Sequence, residues 1–322
     1  VADLATGSGR LTFPIRRRFL PGLTTRLPSL PRNAGPRSNV VVVPVSAATR
    51  TFRWVTVAVG VLAFWVLLST LVLGGFQLRS AQGRLYDDLR LHLADGTAPI
   101  GATDPGTPIA LLAAPSLGIS NLVVVEGTSS RQTQEGPGHR RDTPLPGQVG
   151  VSVLYGRGAT YGAPFSSAPS LHPGDRITAT TGQGIFTYVV DGVRRSGDPL
   201  PLPLAANRSR LTLVTTEGSG WRTGWAPSRT VFVDATLVGD AAVPDRPRPA
   251  DVPAAEKLMS GDTGALVPVL LWAQLLLLVT CALSWGVVRW GRMQAWLVGA
   301  PLVVAALWGL MTSATQLLPN LL

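Results

Sequence analysis

Three stretches of this 322-residue chain are long, apolar and free of charge, and they constrain what it can fold into more than any other feature. The first reads "WVTVAVGVLAFWVLLSTLVLGGF" (residues 54–76); the second covers 267–288 and the third 296–318. Each reaches the roughly 20 residues that an α-helix needs to cross the hydrocarbon core of a bilayer. A helix packed into a soluble core would show a polar stripe, which the first two runs lack. Pro301, Thr312, Ser313, Thr315 and Gln316 dilute the third. The apolar content of 46% is thus gathered into spans that flank a more polar middle.

Arginine sets the expected orientation. Residues 1–53 hold nine Arg against one acid, Asp3, and Arg289 and Arg292 occupy the short turn between the second and third runs. Both belong on the cytoplasmic side, which places the middle of the chain outside the cell membrane. Most of the net charge of +10 falls in that basic tail. Rich in Pro, Ser and Gly and without apolar periodicity, the tail is expected to be disordered and drawn to anionic lipid; nucleic acid is not an implied partner. The first run is read as a retained signal anchor, because it is too long for a cleaved signal and "GGFQLRSAQGRLYDD" offers a poor small-residue cleavage site. No Cys follows it, as a lipoprotein anchor would require. Cys281 lies inside the second span, so no internal disulfide and no Cys-based metal site is expected.

Between the spans the hydrophobic period changes. "LRSAQGRLYDDLRLHLADG" sets Leu78, Leu85, Leu89 and Leu93 near one face at helical spacing, predicting a membrane-proximal helix and linker over 77–105. His92 on its edge reads as structural. From Pro108 onward "IALLAAP", "SNLVVVEG", "GVSVLYG", "DRITATT", "IFTYVVDGVRR", "LTLVTT" and "TVFVDATLVG" are short runs rich in Val, Ile, Thr and aromatics, punctuated by Gly, Pro and Asn. That spacing predicts an all-β barrel or sandwich over 106–239. Residues 240–266 are a Pro-rich, mixed-charge linker back to the membrane. Gly299, Ala305, Ala306 and Gly309 suit the third span to close helix packing. The "NRS" sequon at Asn207 is a chance-prone match. With no acidic cluster at calcium spacing and no His pair at zinc spacing, no cofactor or metal is implied.

The stretch "VVVEGTSSRQTQEGPGHRRDTPLPGQVG", followed by "VSVLYGRGATYGAPF", "LHPGD" and "LTLVTT", strongly resembles the sortases of actinobacteria, the class E type in particular. The resemblance covers roughly residues 106–239 with the motifs in order. It implies an all-β sortase-like barrel outside the cell, flanked by transmembrane helices, and thiol transpeptidase chemistry. In that chemistry a Cys thiolate attacks the carbonyl of a sorting motif such as LPxTG, a His moves protons, and an Arg steadies the developing oxyanion.

Carried over residue by residue, the family Cys falls on Thr216, the His on Arg157 of "YGRGATYG", and the Arg on Arg229 of "PSRTVFVDA". The groove would involve Tyr161 and the Pro-rich segment around Pro199, Leu200 and Pro201. A hydroxyl needs an adjacent base to act as a nucleophile, and a guanidinium cannot accept a proton. Glu217 neighbours Thr216 along a strand and points to the opposite face. His139 in "GPGH" and His172 in "LHPGD" read as turn residues. The expected function is a catalytically inactive, membrane-anchored sortase-like protein that binds, scaffolds or regulates in surface sorting, with sorting-signal peptides or another sortase as partners. An active hydroxyl-dependent transpeptidase using Thr216, and an accessory subunit docked through the last two spans, stand as alternatives. Two guanidinium groups in the vacated site predict that Arg157 or Arg229 pairs with an acid, Glu217 or Asp234, or faces water.

Overall fold

A computed structural model describes residues 56, 60, 64, 65, 68, 73–218, 229–245 and 247–322. The expectations for the basic tail (1–53) and for most of the first apolar run lie outside the described residues.

Eight strands form a closed barrel in the order β1-β2-β3-β4-β7-β8-β6-β5. They are β1 (Pro108–Ala114), β2 (Ile119–Glu126), β3 (Gly138–His139), β4 (Gly150–Tyr155), β5 (Arg176–Thr181), β6 (Gly184–Arg195), β7 (Ser209–Glu217) and β8 (Arg229–Val238). Alternation explains most of them. Ile177 and Ala179 of β5, Tyr188 and Val190 of β6, and Val233, Ala235 and Leu237 of β8 point inward around Phe165 and Leu154, while Thr178, Val189 and Thr236 between them are partly exposed and Asp234 is buried. β7 is buried along nearly its whole length, as befits a strand with neighbours on both edges and cover on both faces. Two ladders are parallel, β2 with β3 and β4 with β7; β1 closes the barrel against β5. β3 has no counterpart in the sequence reading. It consists of two residues of the "GPGH" turn, too short to carry a period, and it joins β2 to β4 through Gly138.

Helix α1 (Gly74–Ala94) precedes the barrel and buries Leu78, Ala81 and Leu89. Its Gln82 does the work of a missing strand. The side-chain amide accepts from Val123 N at 2.7 Å and donates to Val123 O at 3.0 Å and Glu135 O at 2.8 Å. That satisfies Val123 on the edge of β2 away from β1, which β3 reaches only at Val125 and Glu126, and fixes the short helix α2 (Ser130–Glu135) beside it.

Residues 240–262, expected as a linker, pack back on the barrel. Arg248 donates to Glu126 at 2.7 Å, and the other oxygen of Glu126 meets Nδ1 of the fully buried His139 at 3.0 Å. Arg141 pairs with the buried Glu256 at 2.9 Å. Beyond this strap run α3 (Leu266–Trp290) and α4 (Arg292–Ala314), joined at Gly291, whose φ of 102° makes the tight turn. Both helices are long and apolar enough to cross a membrane. They approach closely at small residues: a Cβ on Gly299 would lie 2.2 Å from Leu283 Cδ1, and one on Gly309 would lie 2.4 Å from the Trp272 ring. Gly299, Ala306 and Gly309 are buried in this contact; Ala305, expected with them, is exposed, because it falls off the facing stripe by one residue.

Candidate functional site

β4 and β7 run parallel with Tyr155 opposite Val214 and Leu154 opposite Leu213. Two residues further on, the same register brings Arg157 alongside Thr216, so the barrel itself assembles the two positions that the motifs singled out. Gly156 N continues the ladder by donating to Val214 O at 2.9 Å. Gly158 then passes so close to β7 that a Cβ would lie 2.3 Å from Thr216 O and 3.0 Å from Thr216 Oγ1.

Arg157 is completely buried. Its guanidinium donates to Ser130 O at 3.0 Å and Ser130 Oγ at 2.7 Å from α2, to Thr160 Oγ1 at 3.0 Å, and to Leu322 O at 3.1 Å. The Tyr161 ring stacks 5.0 Å from its Cζ. Burial draws the Arg157 pKa down to about 10, with Tyr161 acting in the opposite sense. It remains a cation at neutral pH. For Arg157 the fold supplies neither the expected acid partner nor exposure to water; Arg229, the other candidate, is exposed. Glu217 binds Arg195 at 2.6 and 3.1 Å, and Asp234 accepts from Arg194 at 2.6 Å and from Thr212 at 2.7 Å. Hydroxyl and backbone oxygens receive the two terminal nitrogens of Arg157 instead, while its buried Nε has no partner among the described residues, because its strand end turns inward under α2 and the segment that follows α4, away from those acids.

Thr216 is also buried, and its hydroxyl donates to Leu321 O at 2.9 Å. The same carbonyl accepts from Gly158 N at 3.1 Å. Thr215 Oγ1, next along the strand, is buried and makes no hydrogen bond among the described residues. Tyr161 does not line an open groove: it is buried, adopts a positive φ of 51°, and donates its phenol to Thr315 Oγ1 at 2.8 Å. Arg229 opens β8, exposed and in register with Glu217. Pro199, Leu200 and Pro201 lie in the connection from β6 to β7, which leaves β6 where Arg195 pairs with Val231, the residue opposite Thr215; Leu200 there is 81% exposed. His172 is exposed and holds a turn through its amide to Asp175 at 2.8 Å. Buried His139 lies in the strap contact described above.

Sequence reasoning missed Ser130, Thr160, Gly158 and all of residues 315–322 as parts of this site. The signal for the last was present as "LLPNLL", which ends the apolar run with a Pro and an Asn unsuited to a span. The hydroxyls carry no periodic pattern and reach the site through α2 and a loop.

A family model described as a sortase domain matches residues 112–238. Sortase E from Streptomyces avermitilis is similar at 32% identity, covering 48% of this chain and 100% of that chain with a TM-score of 0.36. SrtA from Actinomyces oris is similar at 26% identity, over 42% of this chain and 82% of that chain, with a TM-score of 0.36. A Sortase D5 transpeptidase from Clostridium perfringens shares 21% identity over 50% of this chain and 99% of that chain, with a TM-score of 0.42. No curated protein shows significant similarity.

Proposed function

The chain belongs to the sortase family, and from that premise we propose that it is a membrane-anchored member whose transpeptidase site is chemically silent and which binds or scaffolds in surface-protein sorting. One observation carries this reading: at the position of the family's proton-transfer His stands a fully buried cation, Arg157, and the Thr216 hydroxyl beside it is spent on a carbonyl instead of a base. A thiol is partly ionised near neutral pH, whereas a hydroxyl attacks a peptide carbonyl only when a neighbour takes its proton. Arg157 holds its own protons, and the carboxylate of Glu217 is drawn to Arg195. Without a nucleophile, the retained fold supports recognition instead of bond exchange. The exposed Pro-rich connection around Leu200 is a candidate contact for peptide partners.

Purified full-length protein in detergent, given a sorting-motif peptide and an amine acceptor, is expected to form no more product than the blank, and Thr216→Ala is expected to change nothing. Transpeptidation or hydrolysis that disappears in Thr216→Ala sinks the proposal and installs the hydroxyl-dependent enzyme in its place.

A further inference from the structure

The segment that follows α4 occupies the site as a ligand would. Residues 315–317 form a 3-10 turn, after which the chain runs extended through Leu318. From there on, side chains and backbone are both received. Asn320 is fully buried; its amide nitrogen donates to Thr128 O at 2.7 Å and Lys257 O at 2.9 Å, and its backbone N–H donates to Ser260 O at 3.0 Å. The Leu321 side chain, also fully buried, fills an apolar pocket between Tyr155, Val214, Val153 and Phe232. Its carbonyl receives two donors, Thr216 Oγ1 and Gly158 N. Leu322 O receives Arg157 Nη1 and the Thr160 hydroxyl. A side-chain pocket, an amide clamp and paired donors on successive carbonyls are the parts of a specific peptide site.

We propose that residues 318–322 are a resident peptide ligand of the vestigial active site, held in cis, and that the site admits an external peptide only when this segment leaves. The cis arrangement gives the segment a high effective concentration, so a free peptide of equal intrinsic affinity competes poorly. Detachment also costs Arg157 one of its acceptors, Leu322 O, which ties occupancy of the groove to the comfort of the buried cation. This inference rests on the reading of the site as silent only in taking the same residues as its walls.

Residue-resolved hydrogen exchange on the full chain in lipid nanodiscs tests it. In the native protein the Gly158 amide, held by Leu321 O, is expected to exchange at least about tenfold more slowly than in a Leu321→Asp variant. Gly156, held by Val214 O within the ladder, is expected to keep its protection in both and so reports that the barrel remains folded. Equal exchange at Gly158 in the two proteins overturns the proposal. A fluorescent peptide of sequence TQLLPNLL is expected to bind the Leu321→Asp protein and to be excluded from the native one; binding to both alike, or to neither, overturns it as well. A milder variant, Asn320→Ala, is expected to give intermediate protection and intermediate peptide binding. Neither readout depends on turnover: product formed by the native protein and lost with Thr216→Ala defeats the silent-site reading, whereas free exchange at Gly158 defeats this one.

Discussion

Gly158 has no room for a side chain, since a Cβ would meet the Thr216 carbonyl at 2.3 Å and that carbonyl belongs to a paired strand that cannot yield. Gly158→Ala is expected to cost about 1–3 kcal/mol, the usual range for overpacking, and to release residues 318–322 by displacing the amide that holds Leu321 O. Chemical denaturation of the protein in detergent checks the first effect, and exchange of the backbone amide at position 158 the second. Arg157 sits at the opposite extreme, a large side chain fully enclosed. Its folded-state pKa of about 10 lies below the ordinary guanidinium value, so the folded protein binds this proton less tightly than the unfolded chain. Stability therefore rises with pH across that window, and below it the burial of the cation is a standing cost, moderated by the hydrogen bonds that Arg157 donates to Ser130, Thr160 and Leu322 O.

Among the elements, α1 shows how one polar residue can replace a strand. Gln82 matches both the N–H and the C=O of Val123 and reaches across to Glu135. Gln82→Ala leaves those backbone groups without their partner and is expected to destabilise the protein by about 1–3 kcal/mol, whereas Gln82→Glu keeps an acceptor for Val123 N and loses the two donated bonds. Thermal unfolding of the two variants should rank them below the native protein. α2 carries Ser130, so loosening this contact should also speed exchange at Gly158. The α3 and α4 pair depends on shape: Gly299 and Gly309 let Leu283 and Trp272 rest against the opposing backbone.

At the scale of the whole molecule, the barrel, the strap of residues 240–262 and the helical hairpin meet at one place. α3 leaves from the strap, α4 returns antiparallel to it, and residues 315–322 come back to the barrel, where Asp262 N donates to Gln316 O at 2.9 Å. With the arginines at 289 and 292 on the turn, the proposed orientation puts that turn in the cytoplasm and the barrel outside. In a Cys281→Ser background, an impermeant thiol reagent is expected to label Ser196→Cys on intact cells and Met293→Cys only after the membrane is opened. The reverse pattern would invert the orientation.

The candidate positions were legible in the sequence because the motifs keep their order: "LTLVTT" and "YGRGATYG" stand where the resemblance expects them, and the proposed Cys and His positions can be read directly as Thr216 and Arg157. Strand positions followed from short-range alternation, and the two later apolar runs from length and lack of charge. What alternation cannot encode is contact between distant segments. β3 is two residues long, Gln82 lies on a helix 41 residues from the β2 residue it serves, and Leu321 meets Thr216 from 105 residues away. Sequence alone determined which residues are the candidates for the family's catalytic positions; tertiary structure decided that Arg157 is met by hydroxyl and backbone oxygens and that the chain's own residues 318–322 pack against it and Thr216, because both depend on where a helical hairpin delivers the segment that follows it and not on any local pattern.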